Sequence, residues 1–227
     1  MKVSDAFQEL CYGELNTHRL AESGAILPED YSRMIHHLNM GLLALYTRFP
    51  LLVKELTLQQ KSWITVYKLK KEHAVTDPSD EVKYIIDSRF DPFIGDLIRV
   101  EEVSDEVGDV VELNSTDHCK VALTPSMDTL EIPNPTDTNV LFVTYRAKHP
   151  QLVSVDSEIL LPQHLLGALY AYTGMRVYAG GTSQEQLTKG AELESKYERI
   201  CQKMELDGMV NTDVLVLNMK PHERGWV

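Results

Sequence analysis

Two short stretches of the sequence carry residue types that do chemistry. His36 and His37 are adjacent, but neighbours on a helix point about 100° apart, so they cannot hold one metal ion from the same side. Thr116–Cys119 places an acid, a base and a thiol in succession. A Cys–His pair needs converging side chains, whereas adjacent residues on a strand point to opposite faces. We therefore expect neither stretch to be catalytic or to bind a metal.

A cluster of acids at residues 101–109 suggests a calcium site. Its members are Glu101, Glu102, Asp105, Glu106 and Asp109. They lack the D-x-[DN]-x-[DN]-G spacing of a calcium loop, so a solvated acidic turn is the expected structure. The sequence also contains no glycine-rich phosphate loop, no H-E-x-x-H and no C-x-x-C. The segment "AGGTS" before a helix offers backbone amides to an anion, but a plain connection between helices is the simpler interpretation. We expect no catalytic residue, no cofactor and no metal.

Composition narrows the class of protein. The 227-residue chain has a formal net charge of −12, which argues against tight binding to a nucleic-acid backbone. No apolar run approaches the roughly 20 residues of a membrane-spanning helix, and the N-terminus lacks the apolar core of a secretory signal. Three cysteines, Cys11, Cys119 and Cys201, fit a reducing compartment better than a disulfide framework.

Helical patterns occupy both ends of the chain. Ser4 is the expected N-cap of a helix that runs to about Ala21. Pro28 suits the first residue of a second helix, which should end at Phe49 because Pro50 disfavours the helical conformation there. The two helices each carry an apolar stripe and are expected to pack as an antiparallel hairpin.

The C-terminal half predicts a second pair of helices. Pro162 begins the first of them and Gly180–Gly181 ends it. Ser183 and Gln186 form the expected capping box of the next helix, and Gly208 is its expected C′ residue. Small residues on the first of these helices would allow another helix to approach closely. They are Gly167, Ala168, Ala171 and Gly174. The following helix is the simplest partner, and a neighbouring subunit is the alternative.

Between the helices, roughly six strands are expected. "LLVKELTLQ" and "SWITVYKL" alternate apolar and polar residues, and "QQKS" between them suits a hairpin loop. A further pair of strands should flank an acidic turn at Ser104–Asp109. The sequence thus predicts an α+β fold in four parts: a helical hairpin (1–50), a β-rich sheet or small barrel (51–155), a second helical hairpin packed on the first (156–208) and an extended C-terminal arm (209–227).

The arm is unusual because chain termini are generally polar and frayed unless something holds them. Val214–Leu217 forms an apolar run, and Trp226 stands next to the last residue. This segment is expected either to fold back on its own domain or to contact another subunit or another protein.

Several segments resemble the head-to-tail adaptor proteins of tailed bacteriophages, in particular those of the short-tailed type. "EILLPQHLLGALYAYTGMRVYAGGTSQEQLTKGAELESKYERICQKM" resembles their C-terminal helix pair. "MKVSDAFQELCYGEL" with "LPEDYSRMIHHLNMGLLALYTRFP" resembles their N-terminal helices, and "LEIPNPTDTNVLFVTYRAKHP" looks like the strand pair before the third helix. Together these segments cover about two thirds of the chain, and their order and spacing carry the resemblance.

The resemblance implies a structural protein of the virion neck, assembled in the host cytoplasm. It implies a homo-oligomeric ring, commonly of twelve copies, that extends the DNA channel between the portal and a tail nozzle or tube, sometimes with fibres attached. DNA would pass through without specific binding, and an acidic wall would repel its phosphates. The arm would then bind the portal. The residues implied in that contact are Val214, Leu215, Val216, Leu217, Met219, Arg224 and Trp226.

Three other functions remain open from the sequence. The chain could be another neck or tail-completion protein whose arm meets a nozzle. It could be an enzyme whose site is assembled from distant residues such as His118, Cys119 and the acids of the strands. It could also be a plain homodimer that exchanges its tails.

Overall fold

The computed structural model describes residues 1–21, 24–74, 82–87, 91–115, 121–137 and 139–208. These residues divide into two units. The helical unit comprises residues 1–51 and 149–208, and the β unit comprises the described part of residues 52–148. The fold is therefore mixed α+β, as the sequence predicts.

The helical unit contains four α-helices in the described part of the chain. They are α1 (Val3–Tyr12), α2 (Tyr31–Arg48), α3 (Leu166–Tyr178) and α4 (Gln184–Leu206). Short 3-10 turns lie at Arg19–Ala21, Pro28–Asp30 and Gln163–Leu165. Helix α3 lies at the centre of this unit, because α1, α2 and α4 all pack against it. None of the described helices combines the length and the apolar character that a membrane span requires.

Helix α1 is shorter than the sequence predicts. It ends at Tyr12, because Gly13 leaves the helical conformation with φ −103° and ψ −106°. Its N-cap is Lys2 and not Ser4: the backbone N–H of Lys2 donates to the Asp5 carboxylate at 3.0 Å. The N–H of Val3 also donates to the carbonyl of Ser157 at 3.0 Å. The start of the chain is thereby held to the segment that leads into α3.

The ends of α2 and α4 confirm the local signals in the sequence. Phe49 adopts an extended conformation directly before Pro50 and ends α2. At the start of α4, the Ser183 Oγ accepts a hydrogen bond from the Gln186 N–H at 3.2 Å, which forms the predicted capping box. At the other end, Gly208 takes a left-handed conformation with φ +61°.

The small residues of α3 lie against α4. An ideal Cβ at Gly167 would lie 3.7 Å from Ile200 Cδ1, and one at Gly174 would lie only 2.9 Å from Leu193 Cδ1. Within the helical unit, α4 is therefore the helix that approaches these glycines, the simpler of the two partners expected from the sequence.

The described part of the β unit forms an eight-stranded sheet, two strands more than expected. The strands are β1 (Val53–Gln59), β2 (Val66–Lys68), β3 (Ile85–Ile86), β4 (Leu97–Asp105), β5 (Val110–Leu113), β6 (Val121–Ser126), β7 (Thr129–Glu131) and β8 (Val140–Ala147). Their order is β2-β7-β6-β5-β4-β8-β1-β3. Strands β4 and β5 pair across the predicted acidic turn, and β5 and β6 pair in parallel. The predicted hairpin between β1 and β2 is wrong: β1 pairs with β3 and β8, while β2 pairs with β7.

The sheet curls into a half-barrel, and a tyrosine links its two outer strands. The Tyr84 hydroxyl, next to β3, accepts from the N–H of Lys68 on β2 and donates to the carbonyl of the same residue, both at 2.8 Å. The ring of Tyr84 also stacks on His73 and meets Tyr67 edge-on. Burial raises the pKa of Tyr84 to about 12, so the hydroxyl keeps its proton.

Candidate functional site

The residues to which the sequence assigns partner binding lie beyond the described part of the chain. They are Val214, Leu215, Val216, Leu217, Met219, Arg224 and Trp226. The structure describes the chain up to Gly208, directly after α4.

The adjacent histidines of α2 occupy different environments. His36 is exposed, whereas both ring nitrogens of His37 are buried and have no hydrogen-bond partner within the described residues. Burial, followed by the charges of Arg33, Arg176 and His36, lowers the pKa of His37 to about 4. His37 is therefore a neutral imidazole at physiological pH. Thr116–Cys119, the other candidate for chemistry, lies outside the described residues.

The acidic cluster of β4 has structural partners. Glu101 accepts from Arg99 through both carboxylate oxygens, each at 2.8 Å, and from Arg146 Nε at 2.8 Å. Asp105 accepts from the N–H groups of Val107 and Asp109 and so shapes the turn between β4 and β5. In the part of the chain that the structure describes, no group of three His, Cys, Asp or Glu side chains could hold a metal ion.

A cleft of the helical unit, about 710 Å³ in volume, lies beside the turn between α3 and α4. Arg19, Arg33 and Asp30 line it together with Gln186. The "AGGTS" glycines border this cleft, but an ideal Cβ at Gly181 would lie 2.2 Å from Gln186 Oε1. The turn thus makes room for the capping side chain of α4. With charges of both signs and an amide already used in capping, the cleft has the character of a solvated groove.

Two exposed apolar surfaces of the β unit were not singled out from the sequence. Val66 lies on the outer strand β2, and Trp63 lies just before that strand. Val107 and Val110 lie at the turn between β4 and β5. Strand alternation in the sequence assigns such residues to a face but does not tell whether that face is covered. Large apolar side chains left exposed together are typical of protein-binding surfaces.

Comparison with known proteins adds no family to this description. No protein-family model matches the chain, and no curated protein is significantly similar to it. The function must therefore be inferred from the residues and their arrangement.

Proposed function

We propose that this chain is a structural, non-catalytic subunit of the adaptor ring between the portal and the tail of a tailed bacteriophage. The ring would contain about twelve copies, extend the DNA channel and dock the tail nozzle or tube, with fibres as further partners. The observation that carries the proposal is the order of the resembling segments along the chain: N-terminal helices, a strand pair and a C-terminal helix pair.

The division of the chain supports this assignment. Residues near both ends of the described sequence form one helical unit, and the β-rich residues are inserted between them. We propose in finer detail that the helices form two hairpins packed together, with the half-barrel as an insertion and residues 209–227 as an extended arm. An insertion of this kind enlarges a subunit without interrupting its helical core.

The arm is the proposed contact with the portal. It begins after a capped helix, and its sequence carries the apolar run Val214–Leu217 and the aromatic side chain of Trp226. An apolar run of alternating β-formers suits pairing with a strand edge or filling of a groove, and a Trp supplies binding energy in a pocket. Met219 and Arg224 lie between them and would extend the same contact.

The net charge of −12 per chain also fits this role. A ring of such subunits is strongly negative, and exposed charges act over about 8 Å at physiological salt. An acidic channel wall would repel the phosphates of passing DNA, so the ring would not retain the genome by adhesion.

The proposal is tested by removing the arm. A chain that ends at Gly208 should keep the helical and strand circular dichroism of the full chain and should lose binding to the cognate portal in co-sedimentation. Full-length protein mixed with portal should show rings added to the portal in negative-stain images. The substitution W226A within the full chain should weaken binding about tenfold or more, the usual effect of removing a central aromatic anchor.

Each outcome has a clear meaning. Unchanged portal binding by the truncated chain would refute the role of the arm. Unfolding of the truncated chain would show that the arm belongs to its own core and would also refute that role. A full-length chain that binds nozzle but not portal would identify another neck component.

A further inference from the structure

Lysines and acids are segregated along the β unit. Residues 60–71 contain four lysines and no acid, whereas residues 101–112 contain six acids and neither Lys nor Arg. The first segment includes the outer strand β2, and the second includes the turn between β4 and β5. The two segments therefore carry opposite formal charges, although Glu101 in the second is paired with Arg99 and Arg146.

The first surface, here named the lysine edge, consists of Lys61, Trp63, Val66, Lys68 and Lys70. Tyr67 points into the core of the β unit, so its neighbours Val66 and Lys68 point outward on β2. The side chain of Trp63 is 66% exposed and that of Val66 is 47% exposed.

The lysines of this edge have acids nearby but are not held in ion pairs with the described residues. Asp137 and Asp128 lie near Lys61 and Lys70 and offset part of their charge. The Tyr84 hydroxyl already bonds the backbone N–H and carbonyl of Lys68. A partner would therefore meet the side chains of this edge at Lys68 and could not pair with its backbone.

The second surface, here named the β4–β5 tip, consists of Asp105, Glu106, Val107, Asp109 and Val110. Val107 is 72% exposed and Val110 is 58% exposed. Its backbone is held in place: the Asp105 carboxylate accepts from the Asp109 N–H at 2.8 Å, and the Glu106 carboxylate accepts from the Val140 N–H at 2.8 Å, which ties the tip to β8. The tip thus presents apolar side chains among acids on a fixed support.

We propose that the lysine edge of one copy docks on the β4–β5 tip of a second copy, head to tail. The charges of the two surfaces are complementary, and each surface pairs charge with exposed apolar side chains that can bury one another. A second copy is the occupant because the chain itself supplies both halves of the contact. Since the two halves differ, each subunit that has bound one neighbour keeps its other half free for the next. Such contacts close into a ring when the rotation between neighbouring subunits permits. This inference rests on the proposed ring and adds its subunit contact.

The test uses one substitution on each surface of the full-length chain. W63E places an acid in the lysine edge, V107N removes an apolar side chain from the tip without adding a charge that the lysines would attract, and V153E and V153N are matched controls at an exposed valine of the helical unit. Sedimentation velocity at submillimolar concentration and low salt measures self-association. We expect the wild type, V153E and V153N to associate, and W63E and V107N each to lose association about tenfold or more.

A mixture of the two defective variants distinguishes the proposed head-to-tail contact from a nonspecific loss of self-association. An equimolar mixture of W63E and V107N retains one intact pair of surfaces and should form a dimer and nothing larger. The wild-type association should also weaken as salt is raised.

Three results would overturn the inference: no association of the wild type, association of W63E equal to that of the wild type, or no dimer in the mixture. The portal experiment on the arm is independent of these substitutions. Failure of this contact therefore leaves the portal result standing, and failure of portal binding leaves the sedimentation result readable.

Discussion

Acid should destabilise the helical unit through His37. This side chain belongs to α2 and lies close to Arg33 and His36 of the same helix and to Arg176 of α3. Both of its ring nitrogens are buried without a hydrogen-bond partner in the described structure. Burial is the main cause that lowers its pKa from 6.5 to about 4, and the neighbouring positive charges lower it further.

The sign of the effect follows from proton binding. As the pH falls below about 6.5, His37 takes up a proton in the unfolded chain, whereas the folded chain resists protonation until about pH 4. Stability from the neutral imidazole is therefore fully present above pH 6.5 and is lost as the pH falls toward 4. The pKa difference corresponds to about 3 kcal/mol of unfolding free energy, and about 2 to 3 kcal/mol of it should be lost by pH 4.5.

Urea unfolding followed by far-UV circular dichroism measures this loss at neutral pH and at about pH 4.5. The variants H37L and H37Q both remove the titrating group, and only the second keeps a polar side chain. We expect both variants to lose less stability in acid than the wild type, by about 2 to 3 kcal/mol. Carboxylates titrate in all three proteins and cancel in the comparison. Parallel pH profiles for the wild type and both variants would refute the reasoning.

Further substitutions test the helix packing of the helical unit and a hydrogen-bonded link in the β unit. G174A should destabilise the helical unit by about 1–3 kcal/mol, because the added Cβ would lie 2.9 Å from Leu193 Cδ1 and 3.1 Å from Glu14 Cβ, an atom that moves only with its backbone. G167A has an ordinary 3.7 Å contact and should be tolerated, so equal urea midpoints for the two variants would contradict this. Y84F should destabilise the β unit by about 1–3 kcal/mol, since it removes both hydrogen bonds to the Lys68 backbone. Unfolding followed by fluorescence measures this loss, and an unchanged unfolding free energy would show that the link does not stabilise the sheet.

Helix boundaries were predictable where the signal is local. The ends marked by Phe49–Pro50, by Ser183 with Gln186 and by Gly208 depend on neighbouring residues alone, and the structure confirms them. The end of α1 was not predictable, because apolar residues continue at helical spacing beyond Tyr12. Leu15 is fully buried although it lies outside the helix, so its position in the helical period reflects burial in a turn.

Strand pairing was predictable only in part, for the same physical reason. The turn between β4 and β5 joins partners close in sequence, and its polar residues are sufficient to predict it. After β1, however, the buried Gln60 donates its N–H to the carbonyl of Asn139 and accepts from the Thr136 N–H at 2.9 Å through Oε1. These long-range bonds direct the chain away from β1, and β2 pairs with β7 instead. A turn signal tells that the chain bends but not which strand it meets.

The proposed contact surfaces required the structure because they consist of exceptions to the pattern. Val107 lies among acids in a turn, where the sequence predicts a solvated segment, and Trp63 lies in the connection before a strand. Composition reveals the charge of both regions, and only the fold reveals that these side chains remain uncovered. An exposed apolar residue on a rigid support costs a monomer solubility and contributes to binding when a partner covers it. In the proposed ring the partner would be another copy, which would cover both surfaces once the ring assembles. The acids and lysines around them would then select the proposed head-to-tail pairing, since like surfaces of two copies repel.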